Sequence, residues 1–357
     1  VTSLPGTLTH RRWGLDILRI VAIIGVVSIH TFGALRSSPE LEGSRSWWVA
    51  VALNAGFIWA VPVFVMISGA LLLDPRPHAA GPAAFYRQRL MRLAPAFIFW
   101  QVFYLIVVRQ WMSGLDESAA TMLALVLRGQ PYTHLYFLWL IVGLYAIAPV
   151  LAPFLREGGR RRALVLGGVL ILVTVATYST SALLAWAGSP SPIILSALTQ
   201  WLPYVGYFVA GYALRDLRLT GARMWACGAI AAAAIAWTIL QAGSVDPASL
   251  LAALLPQSYL GPVTVVIALT LFVFVNSLFS GDVGTGAGRV IRTLSEATFG
   301  VYLVHFALLI AVRSVPWFAD AATTSVVSAV LVWLIVVVLS FALVVPLRLV
   351  PVIGRIF

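Results

Sequence analysis

Residues 15–35 read LDILRIVAIIGVVSIHTFGAL. The stretch is long enough to cross a bilayer core, which takes about 20 apolar residues as a helix. Yet it carries Asp16, Arg19 and His30, and ionisable groups at membrane depth are costly. Working outward, the same apolar texture recurs along the whole chain. Of 357 residues, 61% are hydrophobic and 10% charged, with 23 basic against 12 acidic; every basic residue is Arg. A soluble domain carries about 25% charged residues, so an ordinary soluble fold and a disordered chain are both excluded. Ten apolar stretches are expected as helical spans, near 15–35, 47–73, 95–112, 133–153, 163–187, 199–214, 223–242, 252–279, 294–312 and 323–346. The expected fold is an all-α polytopic membrane bundle. Its membrane domain runs over 15–346, between an N-terminal tail, 1–14, and a C-terminal tail, 347–357. The stretch 252–279 contains Pro256 and Pro262. It reads as a kinked helix, or as a re-entrant piece followed by a span.

With ten spans, seventeen arginines fall on the two tails and the loops of one side. Five, Arg36, Arg45, Arg109, Arg128 and Arg313, fall on the other. The positive-inside rule then places both termini in the cytoplasm. This asymmetry accounts for the net charge of +11 without nucleic acid. The lone Cys227 cannot form an intramolecular disulfide or a cysteine metal cluster. No HExxH zinc helix and no phosphate-binding P-loop motif is present, so no metal is expected. The first span lacks a following small-residue cleavage site and reads as retained.

Arg19 and His30 are eleven residues apart. Eleven helical steps return to within about 20° of the starting direction, about 16 Å along the axis. One helix face thus carries an Asp16–Arg19 ion pair near the cytoplasmic surface and an imidazole deep in the membrane. His30 either lines a site or bonds a neighbouring helix; as neutral imidazole it is the best candidate acid/base, or nucleophile, in the chain. In the second stretch Asn54 and Ser68 fall on one stripe, with Pro62 able to open the backbone between them. They read as a substrate contact or as helix–helix glue. Arg87, Arg89 and Arg92 cluster before Pro95, where guanidiniums can hold phosphate or simply set topology. His134 and, eleven residues later, Tyr145 share a face of the fourth span. His305 lies mid-span, with Thr298 and Tyr302 on its stripe and Glu296 on the opposite face. His10 and His78 fall in loops and are given no role.

The pieces LDILR with His30 following Arg19 after ten residues, VPVFVMISG, FYRQRLMRLAP, HLYFLWLIVGLYAIAP and FGVYLVHF stand in the order of a known family. The chain resembles the membrane acyltransferase-3 family, bacterial O-acyltransferases of surface glycans and small molecules, nearest to the stand-alone surface-polysaccharide type. Gln88 stands where many members have a second Arg beside Arg89. The resemblance implies a multi-pass protein of the bacterial cytoplasmic membrane. It also implies an acyl-CoA co-substrate, usually acetyl-CoA, no permanently bound cofactor, and a carbohydrate or lipid-linked glycan hydroxyl as acceptor. Arg19 and His30 are implied to be essential. On this reading His30 is a general base, with Asp16 and Arg19 setting its field, and an acyl-histidine is the rival mechanism. Arg87, Arg89 and Arg92 meet the donor phosphates, and Asn54, Ser68, His134, Tyr145, Tyr302 and His305 line the substrate site. A transporter or flippase of a glycan or lipid intermediate is the alternative from another class.

Overall fold

The computed structural model describes residues 11–319 and 324–357. His10 and the start of the last expected span lie outside the described residues. Every element in the described residues is helical, as an apolar environment requires of a chain that must satisfy its own backbone hydrogen bonds. The helices are α1 (Trp13–Arg36), α2 (Arg45–Ala55), α3 (Ala60–Leu72), α4 (Gly81–Val102), α5 (Ala119–Leu127), α6 (Tyr136–Trp186), α7 (Val205–Leu214), α8 (Gly221–Ser244), α9 (Leu250–Leu254), α10 (Pro262–Leu278), α11 (Thr285–Arg313), α12 (Pro316–Ala319) and α13 (Val326–Leu347). Seven helical segments, counting α2 and α3 together, are long and apolar enough to cross a membrane, and two shorter apolar ones, 202–214 and 262–278, accompany them. The all-α polytopic bundle read from the sequence is borne out.

Three local departures have physical causes. The stretch 47–73 is two helices, and the break falls at residues 56–59 rather than at Pro62. Pro62 is the third residue of α3, where its missing N–H is one that has no intrahelical partner anyway. The fourth and fifth stretches are two helices that run on from each other within the 51 residues of α6 and meet at Gly159, whose backbone is non-helical (φ 61°, ψ −164°). A straight helix of that length would span about 77 Å, far more than the bilayer core, and glycine reaches this φ without a Cβ clash. The stretch 252–279 resolves into the short α9, a loop, and α10 with Pro262 at its first position, which is the favoured place for proline.

The α1 helix is the hub, packing against α2, α3, α10, α11 and α13. The close approach of α3 and α7 depends on two glycines. A Cβ on Gly69 would lie 2.6 Å from the Phe208 carbonyl carbon, and one on Gly211 would lie 2.6 Å from Met66 Cα. Small residues of this kind let backbones meet where lipid offers no hydrophobic drive. The α4 helix continues as a π-helical segment, Phe103–Met112. Its Tyr104 is fully buried and reaches into α11.

Candidate functional site

A cavity of about 520 Å³ opens among α1, α3, α4, α6 and α11. Its wall carries Arg19 and His30 from α1, Ser68 from α3, Arg89 and Arg92 from α4, Tyr145 from α6, His134 just before α6, and Tyr302 from α11. Helical geometry puts Arg19 and His30 about 16 Å apart on one face. Asp16, Tyr145 and Arg92 are all close enough to Arg19 to act on its charge. The cavity therefore has a cationic end and an imidazole end. Apolar side chains, Val26, Val61, Phe64, Phe137 and Ile141 among them, also line it.

At the cationic end, Arg19, Arg89 and Arg92 make no hydrogen bond or ion pair with the described residues. Arg89 lies over the rings of Phe85 and Tyr145, at 5.4 and 5.9 Å, and its Nε is buried without a partner. Arg87 is exposed and is not on the cavity wall. Of the three α4 arginines expected to act together, two face the cavity.

The expected Asp16–Arg19 ion pair is not formed, and this reading is corrected. Asp16 is buried and takes Arg11 Nε at 2.6 Å and Arg11 Nη2 at 3.2 Å, while Ser295 Oγ donates to it at 2.6 Å. The reason is local. Arg11 precedes the helix and folds back over its first turn, and Ser295 arrives from α11, so both carboxylate oxygens are occupied. Arg19, one turn on, is left facing the cavity. Glu296, also on the wall, is held by Arg292 at 2.9 Å, Arg348 at 3.5 Å and Arg11 at 3.8 Å. It does not pair with His305, in keeping with their opposite faces of the helix.

At the other end three imidazoles gather. The centroid of His30 lies 6.3 Å from that of His134 and 5.5 Å from that of His305, and His134 and His305 are 5.0 Å apart. His30 is half-buried on the cavity wall, whereas His305 is fully buried behind it. Phe306 packs edge-on to His30 at 4.9 Å and stacks on His134 at 5.5 Å. The Tyr302 hydroxyl donates to the His134 carbonyl at 2.6 Å. Tyr104 contacts the His134 ring at 4.8 Å, donates to Leu303 O and accepts from Ala307 N. That hydroxyl thus inserts into the α11 hydrogen-bond ladder beside His305, a recognised way to bend a helix.

Two expected stripe partners separate. Asn54 braces α2 to α1, donating to Ile29 O at 2.7 Å and accepting from Arg36 at 2.8 Å. It is not on the cavity wall, whereas Ser68 is, bonding Phe64 O within its own helix. The break between α2 and α3 removes the continuous helix on which the two shared a face. Tyr104, Ser295 and Phe306 complete the surroundings of the site and were not singled out from the sequence. Phe306 adjoins His305 and Ser295 adjoins Glu296, whereas Tyr104 has no such neighbour.

The described residues form an all-helical membrane bundle whose cavity carries guanidiniums at one end and imidazoles at the other. The chain belongs to the acyltransferase-3 family, whose acyltransferase-domain model matches residues 12–349. It is a multi-pass integral-membrane acyltransferase, and the resemblance read from its motifs is borne out. Comparison with curated proteins and with solved structures gives no match.

Proposed function

We propose that this acyltransferase moves an acetyl group from cytoplasmic acetyl-CoA to a hydroxyl of a cell-surface or lipid-linked carbohydrate, with His30 as general base. One observation carries the reading. Three guanidiniums with no hydrogen bond or ion pair to the described residues share a cavity wall with a half-buried imidazole, which helical geometry sets about 16 Å from Arg19, a distance comparable to the extended pantetheine arm. Arginine holds phosphate through paired charge-assisted hydrogen bonds, so Arg19, Arg89 and Arg92 receive the donor's phosphates. The thioester then reaches His30. Both termini, with most of the arginines, face the cytoplasm, where acyl-CoA is found, and the bilayer is that of a bacterial cytoplasmic membrane.

The acceptor hydroxyl gives its proton to a lone-pair nitrogen of His30 as its oxygen attacks the thioester carbonyl carbon. The C–S bond then breaks, the sulfur leaves as thiolate, and the proton held on His30 passes to it. The products are an O-acetyl ester and free CoA thiol, and His30 returns to its neutral form. Asp16 does not touch Arg19; it anchors the start of α1 to α11 through Ser295, which keeps the two ends of the cavity wall in register.

The test is transfer of radiolabelled acetyl from acetyl-CoA to membrane glycolipid extract by the full chain in nanodiscs, wild type against His30→Ala. General base catalysis is worth about 10²-fold or more, and a loss of that size is expected. Unchanged transfer in His30→Ala would remove His30 from the chemistry. Label retained on the wild-type protein in the absence of acceptor, and lost in His30→Ala, would replace the base mechanism by an acyl-histidine.

A further inference from the structure

The three-imidazole cluster contains two rings that the reaction above does not use, and of these His305 is the one off the cavity wall. His305 Nδ1 lies 2.7 Å from Tyr302 O and 3.2 Å from Val301 O. Carbonyl oxygens only accept, so Nδ1 carries the proton, and in neutral imidazole Nε2 then has the free lone pair. That Nε2 is buried with no partner, and the residue is fully buried. A buried acceptor left unpaired is destabilising and calls for an explanation. Two cavity-wall histidines stand beside His305, His134 with its ring centroid 5.0 Å away and His30 with its at 5.5 Å; His134 is fully buried, and His30 is the one accessible to a ligand. Two imidazoles joined by a hydrogen bond of about 3 Å have centroids about 5 Å apart, so the His30–His305 spacing is compatible with such a bond. Among the described residues no group of three His, Cys, Asp or Glu side chains has metal-holding geometry, so coordination does not explain the cluster.

The geometry points to His305 as the positioning residue for His30: its Nε2 accepts the His30 ring N–H and leaves the opposite His30 nitrogen as a lone pair toward the cavity. This rests on the reading of His30 as base. The role resembles that of a carboxylate behind a catalytic histidine, which fixes tautomer and orientation, here performed by a neutral ring. A neutral partner suits the place, because α3, α10 and α13 carry no Asp, Glu, Lys, Arg or His, and a lone carboxylate at this depth would be costly. The fixed end of the arrangement is α11 itself. Its carbonyls hold Nδ1, and Tyr104 pins the same turn through Leu303 and Ala307.

The test uses the full chain in nanodiscs, with acetyl-CoA as donor and n-octyl glucoside as the sugar hydroxyl. His305→Phe keeps a ring and removes the acceptor; His305→Gln restores an acceptor oxygen near the Nε2 position. In His305→Phe, kcat is expected to fall about tenfold or more, with KM for acetyl-CoA unchanged because His305 is not on the cavity wall. His305→Gln is expected to recover most of that loss. Nitrogen NMR of ring-labelled histidine is expected to find His30 in a single tautomer in the wild type and in a mixture in His305→Phe. If kcat and the His30 tautomer are the same in His305→Phe and wild type, the inference is wrong. It is equally wrong if His134→Phe, and not His305→Phe, releases the tautomer. Full activity in His30→Ala would instead sink the base reading, and the tautomer measurement still judges the His30–His305 contact by itself.

Discussion

The cationic end of the cavity makes a demand that can be measured with two donors. Acetyl-CoA carries nucleotide phosphates; S-acetylpantetheine presents the same thioester arm without them. Arg89 and Arg92 are to be replaced singly by Gln, which keeps much of the side-chain length and removes the charge. Neither has a protein hydrogen bond or ion pair to lose among the described residues, so the substitutions should leave the fold intact. A hydrogen bond to a charged group contributes about 1.5–3 kcal/mol, and about 1.4 kcal/mol is tenfold in affinity. KM for acetyl-CoA should therefore rise about 10- to 100-fold. Arg89, half-buried with its Nε shielded from water, belongs at the upper end of that range. Arg92, exposed at the cavity mouth, belongs at the lower end because solvent and salt screen it.

With S-acetylpantetheine the guanidiniums have no phosphate to hold, and its KM should move by less than about twofold. The assay is initial-rate acyl transfer by the full chain in nanodiscs at fixed ionic strength. The comparison is the ratio of the two KM values, which cancels any general loss of active protein. An Arg92→Gln or Arg89→Gln variant that weakens both donors equally would refute the phosphate reading and leave these residues as wall structure. Arg87, off the cavity wall, is the built-in comparison: Arg87→Gln should change neither ratio.

Two further outcomes follow from packing and from a loop ion pair. Gly69→Ala should destabilise the chain by about 1–3 kcal/mol or more through overpacking against the Phe208 backbone. Gly168→Ala, with open space around its Cβ, should be neutral or stabilising by up to about 1 kcal/mol; thermal unfolding in detergent that ranks the two alike would refute the close α3–α7 contact. Glu117, in the loop before α5, is held by Arg109 through two hydrogen bonds, one of 2.7 Å, which keeps its carboxyl below the ordinary value of 4.5. A lowered folded-state value means a contribution present above the ordinary value and lost as pH falls through the lowered one. Hydrogen exchange of residues 113–118, corrected for intrinsic rate, should lose protection in that acid window in wild type and show no such step in Arg109→Gln.

The helices were legible because a span needs a long apolar run; ten such runs were expected, and the described residues hold seven segments long and apolar enough to cross and two shorter apolar ones. The Arg19–His30 relation was legible for a simpler reason: both lie on one helix, where eleven residues fix direction and distance by arithmetic. What lay beyond reading depends on contacts between distant segments. Asp16 finds Ser295 across 279 residues, and no local pattern near either announces it. Tyr104 enters the α11 ladder from a π-helical turn, which has no sequence signature of its own. The break at residues 56–59 was misplaced to Pro62 because proline is a stronger signal than the GFIW sequence that actually turns. His305 was visible as a mid-span histidine, but its closeness to His30 and His134 exists only once α1, α6 and α11 are packed.

The pairing of charges around the cavity argues for the ligand's sign independently of the family. Twelve acidic residues must serve 23 arginines, so some arginines go without, and which ones is informative. Asp16 and Glu296, the two carboxylates nearest the cationic end, are engaged by Arg11, Arg292 and Arg348, as well as by Ser295. None of those three arginines is on the cavity wall. Arg19, Arg89 and Arg92 are on it and have no carboxylate. Arg19 and Arg89 are half-buried and share the wall with the exposed Arg92; like charges repel and half-buried ones lose part of their hydration, and an anion placed among them relieves both costs. A neutral ligand could accept hydrogen bonds from these guanidiniums but would not offset their charge. The distribution of carboxylates, rather than the number of arginines, is what supports the proposal of an anionic ligand at this wall.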